Sequence, residues 1–592
     1  KSIPYSALIN ALQTHIENIL LEENERVDYW AQRIQKALGR SGRVITDILP
    51  NLELLIGPQE EIPTLSGTES QNRFNSTMIK FIKSLGTEEH PTVFLIDDLQ
   101  WADLGSITIL QILLQEPSNT EVLIVGTYRD NEVHDAHPLA VMLRSLGALG
   151  LHPVDITLGD LGMESILELC QDCFGKNTPG IGELASIIYQ KTNGNAFFTL
   201  QLLKGLYEEG ILSINPKTRN WRWDIQKIIQ TESTQNVVDY MTAKLSKLTH
   251  EGISVLKHAS CLGNSFDRTI LENINSLPMD LFDKGLDEVL INGLLIRMIG
   301  VKEKSNYYFA HDRIQQAAYS GLSEEEKSQI HLRIGRWLLA QNQIDEKSEW
   351  KFDIVDHLNN GLESITEERE KQLLLNLNLQ AARMAKNSAA YDFGLKYAQT
   401  GLALLPENHW QHSYQQSLDL YNEIAENAFL KTDFAEAHQF IETILSHAKT
   451  HLEAETAYKI RVLAYHAQNQ LLESIYSGLE YLEKLGISLP KNPTKPTIIK
   501  AFLKARWVLR NETIESLYAK PEMSDPEKLA AIRMLTYLNG PTYVGLPNMN
   551  PILIFEQVKL SVRYGNTPAS SSGYGGYGLV LRSEERRVGK EC

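Results

Sequence analysis

With 592 residues the chain exceeds a single hydrophobic core, which stops growing at roughly 250 to 300 residues, so two to four domains are expected. Hydrophobic residues at 43% and charged residues at 22% exclude a largely disordered chain, and a net charge of −17 argues against nucleic acid as a partner of this chain. The apolar runs fall far short of the roughly 20 residues that span a bilayer, and four cysteines make no disulfide framework or zinc-site spacing, so a cytoplasmic location is expected.

The opening residues Lys1 to Pro4 lack an initiator methionine and an export leader, and the start reads as a cut. From Pro91, the apolar run Val93 to Ile96 ends in Asp97 and Asp98, a helix is expected over about Ser106 to Gln115, and Val122 to Val125 leads into Gly126, Thr127, Tyr128 and Arg129. Short apolar strands separated by helices predict a buried parallel sheet, so residues 1–155 read as part of a doubly wound α/β domain. Residues 156–225 turn helical, with apolar positions at Ile166, Leu169 and Cys170 and at Leu200, Leu203 and Leu206, which predicts a small helical domain. Trp221 and Trp223 in NWRWD read as a hairpin packing on the helical receiver region, with a base-stacking platform as the alternative. Over residues 226–322, short helices precede two strand-like runs, Leu294 to Met298 and Tyr307 to Phe309, which predicts a winged helix. Residues 323–581 show helices only. Ala389 to Leu404, Asp433 to Leu445 and Gln470 to Leu482 resemble one another at an offset of about 40 residues, which predicts a tetratricopeptide-like solenoid. Ser570 to Gly578 reads either as a flexible linker or, through Tyr574, Tyr577 and Leu579, as one more helix. The tail 582–592, RSEERRVGKEC, looks like a translated sequencing adapter. It carries four basic and three acidic residues, so the balance without it is −18.

Chemistry concentrates at a few positions. In FLIDDLQWAD, a buried strand ends in paired acids, the Walker B arrangement: Asp97 is placed to reach a magnesium ion on nucleotide phosphates, and Asp98 is the candidate base that polarises the attacking water. A surface turn after the strand is the alternative. Arg129 follows the next strand in GTYRDNE, where a parallel sheet brings its guanidinium beside the first strand's carboxyl end, near a γ-phosphate. An arginine paired with Asp130 or Glu132 is the alternative. Cys170, Cys173 and Cys261 sit in helical apolar surroundings and read as core thiols.

FLIDDLQWAD, GTYRDNEV, TNGNAFF and FAHDRIQQAAY, in that order, resemble the signal-transduction ATPases with numerous domains (STAND), a P-loop branch of the AAA+ superfamily. More narrowly, IPYSAL, QNRF, HDRIQQAAY and YGNTPAS resemble the ATPase and helical-repeat region of cyanobacterial-type multi-sensor serine/threonine and histidine kinases. The resemblance covers residues 1–581 and implies that the helical domain 156–225 is a helical lid, with ATP and Mg2+ as cofactors, protein partners for the repeats and attached kinase domains. No kinase motif, neither a glycine-rich kinase loop nor HRD nor DFG, occurs in this sequence. Nor does GxxxxGK[ST] occur, and the resemblance places that loop before Lys1. In TNGNAFF the resemblance implies nucleotide contacts for Gly194 and Asn195, although Ala196 stands where relatives have a proline against adenine; a helix cap is the alternative. It further implies that His311 touches the β-phosphate of ADP, with a helix cap at Asp312 as the alternative. The expected function is a nucleotide switch that controls kinase output. A transcription regulator whose DNA reader lies beyond residue 581, or a repeat scaffold without enzymatic activity, are the alternatives.

Overall fold

The computed structural model describes residues 5–60, 62, 67–116, 121–216, 219–230, 245, 248–299, 305–341 and 351–591. They fall into two compact units: Lys1–Met142 with Lys347–Val355 and Glu367–Cys592, and Leu143–Glu346 with Asp356–Thr366. No helix among the described residues is long and apolar enough to cross a membrane.

In the first unit, β1 (Thr92–Ile96) and β2 (Val122–Gly126) pair in parallel, with Thr92 beside Val122 and Ile96 beside Gly126. The helix Leu104–Gln115 makes the crossover and turns Ile107, Ile109, Leu110 and Leu113 into the core. Asp103 caps it, accepting from the Ser106 N–H at 3.0 Å. Both strands were expected to be buried on two faces, and here the expectation is corrected. Phe94 and Ile96 are buried, but Val93, Leu95, Leu123 and Val125 are 57, 72, 56 and 41% exposed. Side chains alternate along a strand, so one face meets the core and the other has no cover among the described residues.

The same unit holds the helical array. Three helix pairs, Glu368–Asn387 with Tyr391–Ala403, Tyr414–Leu430 with Phe434–His447, and Glu455–Ala467 with Leu471–Lys484, reproduce the expected period of about 40 residues. Their turns are alike in detail. Ala389, Thr432 and Asn469 have φ of 59°, 70° and 60°. The next N–H of each turn reaches back five residues, from Ala390 to Ala385, Asp433 to Ala428 and Gln470 to Tyr465, at 2.8 to 2.9 Å. This left-handed closure terminates a helix and reverses the chain. Ser570–Glu591 is a helix, not a linker, and Tyr577 packs on Phe502 and Phe555.

Across the first helices of successive pairs runs an ion ladder. Lys386 Nζ meets Glu423 at 2.6 Å and Glu426 at 2.8 Å, Lys459 meets Glu426 at 2.8 Å, and Arg383 meets Asp419 and Glu423. Burial alone would raise the Glu426 carboxyl, but Lys386 and Lys459 hold it down at about 2.

Tyr5 joins the α/β part of this unit to the array. It is 1% exposed, its ring lies 4.9 Å from Phe74, and its hydroxyl donates to the Ser388 carbonyl at 2.6 Å. Gly105 lies so close that a Cβ there would be 2.6 Å from the Tyr5 ring.

The second unit begins with the helices Met163–Phe174, Ile181–Thr192 and Ala196–Glu208, whose core includes Ile166, Cys170, Leu203 and Leu206. Leu200, expected on that stripe, is 57% exposed. Strands β3 (Leu212–Ile214) and β4 (Trp221–Trp223) form the expected hairpin, and both tryptophans pack on Phe174, at 5.0 and 5.9 Å. A winged helix follows: helices His250–Leu262, Arg268–Ile274 and Met279–Ile291 with β5 (Ser265–Asp267), β6 (Leu295–Ile299) and β7 (Ser305–Phe309), in antiparallel order β5-β7-β6. The three-residue β5 was too short to read from sequence. Cys170 and Cys261 are buried, and burial raises their thiols to about 11 and about 12, but Cys173 is exposed and so is not the core thiol expected.

His331 and His357 face each other in this unit, Nδ1 to Nδ1 at 2.8 Å, with Tyr319 at the Nε2 of His331. Burial, reinforced by Lys327, lowers His331 to about 4, and burial, reinforced by His331, lowers His357 to about 3. The folded state therefore holds both neutral where an unfolded chain binds protons. Stability is full above about pH 6.5 and is lost as the pH falls from there toward 4, at up to about 1.4 kcal/mol per pH unit for each proton. Thermal melts at pH 7 and pH 5 should show this loss, and His357→Phe should flatten it; a loss of the same size in the variant would assign the effect elsewhere.

Candidate functional site

The parallel register sets the first cluster. Because Ile96 pairs with Gly126, Asp97 and Thr127 emerge side by side at the carboxyl ends of β1 and β2. The Thr127 hydroxyl donates to Asp97 Oδ1 and accepts the Asp98 N–H at 3.1 Å. Asp98 itself sits at φ 57°, ψ 48°, a left-handed conformation that aspartate tolerates and that is enriched at functional sites. This kink sends consecutive carboxylates in different directions: Asp97 is exposed, whereas Asp98 is partly buried.

Gln100, 6% exposed, fastens the arrangement. Its Nε2 donates to Asp98 Oδ1 at 2.7 Å, and its Oε1 accepts the Arg129 N–H at 3.2 Å. His137 accepts the Leu139 N–H on Nδ1 at 3.1 Å, which leaves the proton on Nε2 to reach the Gln100 carbonyl at 3.1 Å. The Arg129 guanidinium lies 3.8 Å from Asp98 Oδ1 and 3.3 Å from Glu132 Oε1, and 5.3 Å above the Trp101 ring. Trp101 Nε1 donates to Glu132 at 3.1 Å. Arg129 thus lies beside the carboxyl end of β1, and it also makes the expected alternative, a Glu132 pair. Gln100 and Thr127 lay within the quoted motifs but were given no role in the sequence reading.

The second cluster lies in the second unit. Asn193, at φ 52°, ends one helix, Gly194 follows at φ 80°, and Asn195 caps the next, its side chain accepting from the Phe198 N–H at 3.1 Å. Gly194 is pressed against Leu161, whose N–H donates to the Gly194 carbonyl at 2.8 Å, and a Cβ at Gly194 would lie 2.2 Å from the Leu161 oxygen. Phe197, on the first turn, brings its ring to 4.7 Å from His311.

His311, not Asp312, caps the helix Asp312–Ser320: its Nδ1 accepts from the Arg313 N–H at 3.1 Å. The ring can do this because His311 keeps an extended backbone, which turns Nδ1 back over the helix start. The same Nδ1 lies 2.6 Å from Asp312 Oδ1, so Nδ1 is engaged whether or not it carries a proton. Ile314 and Ala318 are the buried residues of this helix, and Ala317 is half-buried.

Among the described residues no group of three or more His, Cys, Asp or Glu forms a metal cage. Asp97 instead offers one open carboxylate, the hard oxygen donor that magnesium takes together with waters and phosphate oxygens.

Residues 1–125 match the family described as AAA ATPase domain. The chain is 23% identical over 717 aligned positions to hybrid signal transduction histidine kinase G of Dictyostelium discoideum, covering 98% of this chain and 21% of that protein. It is 20% identical over 522 positions to peroxide stress-activated histidine kinase mak2 of Schizosaccharomyces pombe, covering 83% and 22%. The chain therefore spans about a fifth of the length of the curated relatives it matches. A solved STAND protein with a tetratricopeptide repeat sensor from Pyrococcus horikoshii aligns over 96% of this chain and 77% of that one, at 13% identity and a TM-score of 0.36. The chain carries an AAA ATPase domain within residues 1–125, continued by a lid, a winged helix and a helical-repeat array.

Proposed function

We propose that the chain is the nucleotide switch of a multidomain signalling kinase, in which ATP binding and hydrolysis control kinase output and the repeats receive protein partners. The supporting observation is the bonded chain Asp97–Thr127–Asp98–Gln100–Arg129, which ties two acids and one arginine to adjacent strand ends. Bound ATP and Mg2+ supply the transferable phosphoryl group and neutralise its charge. Asp97, open to solvent beside Thr127, would hold the metal. Asp98 has Oδ1 occupied by Gln100 and keeps Oδ2 to orient water and take its proton. Arg129, held by Asp98 and Glu132, would exchange these carboxylates for phosphate oxygens, a trade of like charge for like. In the second unit, Gly194 and Asn195 would contribute nucleotide contacts. His311, with Nδ1 engaged, would present Nε2–H to a β-phosphate.

The test is kinetic. In the protein expressed from its full reading frame, Asp98→Asn should slow ATP hydrolysis by about 100-fold or more and leave ATP affinity within a small factor, because it removes the base and not the metal ligand. Asp97→Asn should weaken Mg2+-dependent binding instead. An unchanged turnover in Asp98→Asn would remove Asp98 from this role. If His311→Ala leaves the ratio of ADP to ATP affinity unchanged, His311 is a helix cap only.

A further inference from the structure

The helix Lys495–Leu509 carries two apolar stripes, and only one has a partner within the described residues. Ile498, Ala501, Phe502 and Ala505 pack on Ile554, Phe555 and Tyr577. About a quarter turn away, Ile499, Leu503 and Trp507 recur once per turn and are 57, 58 and 65% exposed. Beside them a groove of about 760 Å3 opens between this helix and the helix Asn550–Tyr564. Lys500 and Lys504 line one wall, Lys559 and Arg563 the other, and among the described residues no acidic side chain lines it. Lys559 also meets Glu556 at 2.6 Å, yet every charge of the lining itself is positive, on a chain of net charge −17. Arg510 lies 3.7 Å from the centre of the Trp507 ring and fixes the indole at the end of the stripe.

Three large apolar side chains left in water on successive turns mark an interaction surface, and the basic walls select the charge of what covers it. The concavity selects its shape. A bilayer is flat and would meet the rim, whereas a helix, about 10 Å across, fits between two helices with its apolar face on the floor. We infer that this groove docks an amphipathic helix whose apolar stripe is flanked by aspartates and glutamates. The apolar stripe meets Ile499, Leu503 and Trp507, and the flanking carboxylates meet the lysines and Arg563. This inference does not depend on the nucleotide reading.

The probe is a fluorescein-labelled 20-residue helical peptide with leucines at i, i+3, i+4 and i+7 spacing and glutamates on both flanks, titrated with the whole chain. A second peptide has lysine in place of every glutamate. The acidic peptide should bind saturably and more weakly at high salt, and the lysine peptide should bind at least about tenfold more weakly. The double variant Lys500→Glu/Lys504→Glu, and separately Trp507→Ala, should each weaken the acidic peptide by about tenfold or more. These side chains are exposed or line an open groove, and an unchanged melting curve verifies that the variants fold. Equal binding of the two peptides, or unchanged binding in both variants, overturns the inference. So does sedimentation with phosphatidylserine vesicles, or self-association, that the same variants abolish while neither peptide binds.

Discussion

Gly194→Ala should destabilise the second unit by about 3 kcal/mol, whether or not nucleotide is present. Two costs add. Gly194 stands at φ 80°, where an L side chain costs roughly 1 to 2 kcal/mol. A Cβ would also lie 2.2 Å from the Leu161 backbone oxygen, which cannot rotate away like a side chain, and such overpacking costs about 1 to 3 kcal/mol. Gly182 is the control: it lies in the helix Ile181–Thr192 with nothing within 4 Å of its Cβ position, so Gly182→Ala should be neutral or stabilising by up to about 1 kcal/mol. Urea unfolding of both variants without nucleotide is the measurement. If Gly194→Ala unfolds at the wild-type midpoint, the glycine is needed for something other than this turn.

Lys386→Met should cost about 3 kcal/mol, the other large effect. The substitution keeps the aliphatic stem but removes the cation from Glu423 at 2.6 Å and Glu426 at 2.8 Å, whose side chains are only 9 and 20% exposed. Removing one partner of a buried ion pair is far more damaging than replacing the whole pair, because the remaining charge loses its compensation. Glu426→Gln in the Lys386→Met background should therefore restore part of the loss, and the double-mutant cycle isolates the coupling. Glu426 contributes its stabilisation above its ordinary value near 4.5 and loses it as the pH falls toward about 2, so the single variant should lose less on acidification than the wild type. A loss under about 1 kcal/mol for Lys386→Met would mean that Lys459 alone carries Glu426.

Elements whose signal is local were legible in the sequence. The strand ending at Asp97, the helix after it, the parallel partner leading to Arg129 and the period of about 40 residues in the array all rest on patterns of a few apolar residues, and the structure has them. What sequence could not give is pairing at a distance and backbone at single positions. Gln100 reaches Arg129 across 29 residues, and nothing in LQW says that its amide turns inward. The bare face of Val93, Leu95, Leu123 and Val125 was hidden because a continuous apolar run reads the same whether one face is covered or two. Asp312 was the conventional cap by residue type; His311 took the place because its extended backbone turns Nδ1 onto the Arg313 N–H. The lid motif was read for its ligand, yet its glycine and asparagine also have clear local duties, a left-handed turn and a cap.

The buried Tyr5 has a topological consequence. Residues before 143 and after 366 fold into one body, held in part by its hydroxyl on Ser388 and its ring on Phe74, so most of the intervening sequence is an insertion into that body. Covalent continuity and mechanical continuity therefore follow different routes. A backbone nick in the insertion would break the first and leave the second, with the α/β part and the array still clasped as a noncovalent pair. The array is thus fastened directly to the helix that begins six residues after Asp98, through Tyr5 against Gly105, and movement there needs no relay along the intervening chain.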